Sequence, residues 1–165
     1  MVTRFQISLV AVIPIVFALD WITKRWIEAN VSFWDNHVVI PGFFSIVHAQ
    51  NRGAAFSLFA DSPEEIRAIV LIGMSGVVMA VVARMFWKAL RSPLAHSVYG
   101  ISALALVLGG AFGNMADRIL RGSVTDFLLL YWRDWQWPTF NVADSAISTG
   151  AVLLLVDLWR RRETI

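Results

Sequence analysis

The polar residues of this chain that could do chemistry fall at the ends of long apolar runs. Asp20 closes the run Phe5 to Leu19. Asn114 and Asp117 end the run Ser97 to Ala116, three residues apart and so on one face of a helix. Asn141 and Asp144, again three apart, open the run Ser145 to Val156, and Asp126 follows the third run by only a few residues. Asn51-Arg52-Gly53 lies between the first run and the second, Ala68 to Ala83, so that Ser97 to Ala116 is the third. The chemistry best served by such a set is a pair of carboxylates. Two aspartates held close cannot both ionise, so they share a proton. One then takes a proton from water while the other protonates or polarises a carbonyl, with no covalent intermediate. Other hydrolytic chemistries fit less well. His37, His48 and His96 are scattered, no H-E-x-x-H is present, and no metal or other cofactor is expected. There is no G-x-S-x-G elbow, so Ser57, Ser123 and Ser145 read as packing or hydrogen-bonding residues. Cysteine is absent, which excludes disulfides, thiolate metal sites and a cysteine nucleophile. Each polar residue also has a structural reading. Asp144 suits a helix N-terminus, Asp20 and Lys24 form an i,i+4 pair, and Asp117 stands beside Arg118. Spacing alone leaves Asp117, Asp126 and Asp144 equal candidates for the pair.

The elements that must position these residues are membrane helices. The chain has 165 residues, enough for one domain. Its hydrophobic content of 58% and mean hydropathy of +0.64 are too high for an ordinary soluble domain. A span needs about 20 residues, or about 30 Å. The third run meets that length outright, and the others meet it once their polar ends enter the interface. The expected fold is an all-α membrane protein, a single domain over 1–165. Its four helices are expected near 5–26, 66–87, 97–117 and 141–159, with outer segments near 28–63 and 118–140. No small-x-small cleavage site follows the first run, so that helix is expected to be retained. Arg84, Lys88 and Arg91, the tail Arg160 to Arg162, and Arg4 fall on one side of a four-span chain. That side is expected to be cytoplasmic. Lys24, Arg25, Arg52, Arg118, Arg121 and Arg133 lie on the other side and weaken the contrast. Trp87 and Trp159 mark an inner belt; Trp21, Trp26, Trp132, Trp135 and Trp137 mark an outer one. Val38 to Ile40 and Phe43 to Val47 flank Pro41-Gly42, a β-hairpin pattern. Phe127 to Trp137 is expected on the membrane surface, as a strand or an amphipathic segment. Counted along the helices, Asp20, Asn114, Asp117 and Asp144 come out at one level, near the outer interface. With Asp126, Asn51 and Asn141 they make a polar chamber against lipid.

At these residues the sequence resembles the lipoprotein signal peptidase, or signal peptidase II, family. The matching blocks are Asp20-Trp-Ile-Thr23-Lys24, Asn51-Arg-Gly53-Ala-Ala-Phe56-Ser57, and Gly109-Gly-Ala-Phe-Gly113-Asn114-Met-Ala-Asp117-Arg118. Two further blocks are Gly122-Ser-Val124-Thr-Asp126-Phe127 and Phe140-Asn141-Val-Ala143-Asp144-Ser145. They occur in the family's order and, with the length and helix pattern, span essentially the whole chain. The resemblance implies an aspartic endopeptidase of the bacterial inner membrane that removes the signal peptide from prolipoproteins, cutting before a cysteine that already carries diacylglycerol. It implies Asp126 and Asp144 as the catalytic pair, supported by Asp20, Lys24, Asn51, Gly53, Asn114, Asp117, Arg118 and Asn141. The expected partners are lipid-modified prolipoproteins and membrane lipid, with no nucleic acid, and the expected state is a monomer.

Two other classes compete. Intramembrane carboxylates also mark ion pathways, but a carrier needs polar groups at the midplane. Here the middle of the third run is Ala103-Leu-Ala-Leu-Val-Leu108. A non-catalytic assembly factor would use Gly109, Gly110 and Gly113 as a packing surface. Cleavage of a precursor peptide separates the three. The topology has its own test. Reporter fusions after Asn36 and Ser62 are expected to read outside, and fusions after Arg91 and Glu163 inside. An outward reading at Glu163 would end the four-span arrangement.

Overall fold

The computed structural model describes residues 4–53, 63–91 and 97–162. Eight elements follow in chain order: α1 (Arg4–Asn30), β1 (Asn36–Ile40), β2 (Phe44–Asn51), α2 (Glu64–Arg91), α3 (Val98–Arg121), β3 (Val124–Trp132), β4 (Trp135–Gln136) and α4 (Val142–Arg162). Ala54 to Ser57 of the second sequence block, and His96, lie outside the described residues. Among the described residues three helices are long and apolar enough to cross a membrane, over Ile69–Arg91, Val98–Arg121 and Val142–Arg160. These are three of the four expected spans, and α1 is a continuous helix through Pro14. Ile69, Val77, Val81, Leu155 and Leu158 all stand exposed on these helices. So much apolar surface suits lipid and not water.

Each helix runs a few residues past its expected end. For α3 the reason is chemical. Ser97 caps its start by accepting the Gly100 N–H at 3.1 Å. Gly122 stops it in the left-handed conformation, φ 71°, with its N–H on the Arg118 carbonyl at 3.0 Å. Asp117 and Arg118 therefore sit inside the last turns of α3, not beyond its end.

α3 is the central helix. Its buried side carries Ile101, Leu104, Ala105 and Leu108, packed with Leu9 of α1 and Phe86 and Ala89 of α2. Toward the C-terminal end of α3 the packing changes from side chains to backbone. A Cβ on Gly110 would run into the Ala143 carbonyl of α4. A Cβ on Gly113 would run into the Asp20 carboxylate of α1. Glycine at these positions lets the helices approach closely enough for short polar side chains to span the gap.

The strands form one antiparallel sheet in the order β1-β2-β3-β4. The expected hairpin is β1 and β2, turning through Gly42 at φ 77°. The segment expected to lie on the surface is strand: β3 pairs with β2 along most of its length. Val124, Thr125 and Phe127, β-branched and aromatic residues, favour this pleated state. Its first four residues are buried, where the sheet meets α1 through Ile27, Val31 and Phe127. The β2–β3 ladder shifts register between Ile46 and Ala49, so that Val47 and His48 together face Phe127. This is a bulge, which re-aims the side chains beyond it.

Gly110→Ala is expected to lower stability by roughly 1–3 kcal/mol through overpacking, read as thermal unfolding in detergent. Gly73→Ala, with nothing within 4 Å of its new methyl, is expected to be neutral or stabilising by up to about 1 kcal/mol.

Candidate active site

The C-terminal ends of α1 and α3 and the start of α4 meet around one ammonium group. Lys24 lies one helical turn after Asp20 and is 1% exposed. Its Nζ stands 2.7 Å from Asp20 Oδ2, 2.8 Å from Asp117 Oδ2 and 3.0 Å from Asn114 Oδ1. Three acceptors for three protons leave no donor unmet. The remaining Asp20 oxygen accepts the Ala143 N–H at 2.9 Å, one of the free donors in the first turn of α4.

Asn114 carries the network onward. Because its Oδ1 faces Lys24, its Nδ2 must point the other way, and it donates to Asp144 Oδ1 at 2.7 Å. Asp144 and Asn141 bind each other reciprocally at the start of α4. The Asp144 N–H donates to Asn141 Oδ1 at 2.9 Å, and the Asn141 N–H to Asp144 Oδ2 at 3.3 Å. This is a capping box built from Asn and Asp. The Asn141 Nδ2 donates to Asp126 Oδ1 at 2.7 Å, and the Asn51 Nδ2 to Asp126 Oδ2 at 3.2 Å. Asn51 in turn accepts the Gly53 N–H at 3.0 Å, and Arg118 donates to the Gly53 carbonyl at 3.4 Å.

Asp126 and Asp144 both line a cavity of about 840 Å³, together with Asn51, Asn114 and Arg118. Its remaining wall includes Ser148 and Thr149, about one turn further along α4, and the apolar side chains of Leu130 and Ile147. Burial pushes the Asp126 carboxyl up to about 7, and the nearby Asp144 charge pushes the same way. The bonds from Asn51 and Asn141, and the Lys24 charge, oppose the rise without cancelling it.

The sequence left Asp117 level with Asp126 and Asp144. In the fold Asp117 is 1% exposed, paired with Lys24 and 3.5 Å from Arg121, and is absent from the cavity wall. Two residues to which the sequence reading gave no role complete the surroundings. Glu28 accepts from Thr125 at 2.8 Å and pairs with Arg121. His48 bonds the Val31 carbonyl at 2.8 Å. The signal for Glu28 was its spacing: Asp20, Lys24 and Glu28 recur every four residues along one face of α1. His48 left no such signal.

Residues 12–160 match the model of a family described as signal peptidase (SPase) II. The chain belongs to the signal peptidase II family. A lipoprotein signal peptidase of Solibacter usitatus is 52% identical over 149 residues, covering 90% of this chain and 88% of the relative. One from Pseudoalteromonas atlantica is 40% identical over 151 residues, covering 92% and 88%. A solved bacterial membrane enzyme superposes with a TM-score of 0.73 at 25% identity, covering 92% of each chain. Another, at 24% identity, superposes with a TM-score of 0.79 and shares the fold, covering 95% of this chain and 90% of the other. The family is one of aspartic-type proteases, which suits a site without a serine or cysteine nucleophile.

Lys24→Met is expected to cost about 3–5 kcal/mol, because it strands the Asp20 and Asp117 carboxylates without their shared cation. Thermal unfolding in detergent measures this. Lys24→Arg is expected to recover little, since a planar fork cannot reach three acceptors set around a point.

Proposed function

We propose that the chain removes signal peptides from diacylglyceryl-modified prolipoproteins, cutting before the lipidated cysteine, with Asp126 and Asp144 as the catalytic pair. The observation that carries this reading is the pair's geometry. Both carboxyls face one cavity, and Asn141 holds one oxygen of each, at 2.7 Å and 3.3 Å. Asp126 holds the shared proton, raised to about 7 by burial and by its partner's charge. Asp144 carries the negative charge, at the N-terminus of α4 where the helix dipole favours it. Asp144 then takes a proton from the attacking water while Asp126 protonates the scissile carbonyl. Asp20, Lys24, Asn51, Gly53, Asn114, Asp117, Arg118 and Asn141 hold the pair in place.

The enzyme is a monomer, a single domain of the bacterial inner membrane with four spans and both termini in the cytoplasm. The first span is α1, whose 27 residues reach about 40 Å at 1.5 Å per residue. The site lies at the outer interface, so the substrate arrives from the bilayer with its acyl chains still in lipid. Each buried methylene adds about 0.8 kcal/mol of binding. A signal peptide helix hides its carbonyls, so the cleavage region must unwind. Freed backbone groups at this depth need polar partners, and the amides of Asn51, Asn114 and Asn141 can provide them.

Purified protein is expected to cleave a lipidated precursor and to cut the same unlipidated sequence very poorly. Asp126→Asn and Asp144→Asn are each expected to abolish turnover in a folded protein, and chelators to have no effect. Substantial activity in either variant would refute the pair. Activity is expected to fall as pH rises through about 7, where Asp126 loses its proton. Equal rates on both precursors would remove the lipid from recognition.

A further inference from the structure

His48 is a buried imidazole that the proposed mechanism does not use. Its Nδ1 lies 2.8 Å from the Val31 carbonyl, just past the C-terminal end of α1. A carbonyl can only accept, so Nδ1 carries a proton and donates it to Val31. Nε2 is buried and has no partner among the described residues. The ring stacks on Phe33 with centroids 4.0 Å apart. His48 thus meets a carbonyl that the helix end leaves open, across 17 residues of chain.

Its position in the sheet gives this contact a consequence. His48 and Val47 are the two residues of β2 that oppose Phe127 alone. Directly after the bulge, Ala49 pairs with Asp126. Asn51, two residues on and so on the same face as Ala49, donates to Asp126 Oδ2 at 3.2 Å. A slip of one residue in β2 would turn Asn51 to the other face. On the other side of Asp126, Thr125 is tied to Glu28 of α1. The two strands that meet at Asp126 are therefore fastened to the same helix end, β3 through Glu28 and β2 through His48.

We propose that His48 is a positioning residue. By binding the end of α1 it locks the β2 bulge and so aims Asn51 at the Asp126 carboxyl. This rests on the reading of Asp126 as the proton donor. His48 itself touches neither the cavity nor the reacting atoms.

The test uses a readout that a loss of stability alone would not move. The Asn51 bond pulls the Asp126 proton affinity down, against burial and the Asp144 charge, while Lys24 also pulls it down. Losing the Asn51 bond must therefore shift the alkaline limb of activity to higher pH. His48→Phe keeps a ring for Phe33 and removes the donor. It is expected to lower kcat by about tenfold with KM unchanged, the size of a buried acceptor left unpaired, and to move the limb upward. His48→Asn places an amide N–H where Nδ1 stood and is expected to restore kcat and the original limb. His48→Gln places it too far out and is expected to behave like the Phe variant. In an Asn51→Ala background, His48→Phe is expected to move the limb no further. Should the Phe variant fail to insert, the Asn and Gln pair carries the test alone. A parent-like limb in Phe and Gln variants, or additive shifts with Asn51→Ala, would overturn the proposal. If the parent enzyme shows no alkaline limb near 7, the assignment of Asp126 is what fails.

Discussion

A single buried cation organises the end of this molecule where α1 and α3 finish and α4 begins. Lys24 is held by Asp20, Asp117 and Asn114, and all four residues are 6% exposed or less. Burying a charge costs several kcal/mol unless its partners are well placed. Here the partners come from α1 and α3, and Asp20 also reaches the first turn of α4. The ion cluster can exist only when α1 and α3 are docked, and through Asp20 it also holds the start of α4. Docking in turn depends on the close approach at Gly110 and Gly113, since a single methyl at either point would push the helices apart. Specificity of assembly is the better-supported role for such a cluster; net stabilisation over an apolar core is not implied.

The same cluster fixes the orientation of the groups beyond it. An asparagine side chain has one acceptor end and one donor end, and Lys24 commits the acceptor end of Asn114. Its donor end must then face Asp144. Asn141 repeats the device, its oxygen spent on the Asp144 N–H and its nitrogen turned to Asp126. Polarity passes from a fixed charge through two amides to two carboxyls, each step set by the one before. Amides suit this task because they do not titrate.

Burial and order pull in opposite directions at Asp126. The low-dielectric setting and the neighbouring charge favour its protonated form, and the hydrogen bonds that hold it favour its charged form. The balance near 7 leaves the group able to give and regain a proton under ordinary conditions. The sheet contributes to this balance alongside the helices. Asp126 is carried by β3 and one of its two amide partners by β2, so the pairing of two strands sets a proton affinity.

Much of this was legible in the sequence because membranes punish polar residues. Asp20, Asn114, Asp117 and Asp144 stood out at the ends of apolar runs, and their depth followed from counting along helices. The Pro41-Gly42 hairpin was legible from its turn chemistry, and the five sequence blocks identified the family. The helix ends were drawn a few residues short, since caps such as Gly122 act through backbone angles that composition does not display. Sequence spacing could not separate Asp117 from Asp126 and Asp144. Their surroundings differ, Asp117 facing Lys24 and Asp126 and Asp144 facing the cavity, and that difference comes from three helices and a sheet meeting in space. For the same reason the interfacial segment's state as a paired strand, and the contact of His48 with α1, belong to the tertiary structure. A strand partner and a helix-end carbonyl 17 residues away have no local pattern to announce them. Local propensity and hydrophobicity determined what each segment is. Packing decided which polar atoms meet, because that depends on relative helix rotation and strand register, to which a one-dimensional pattern is blind.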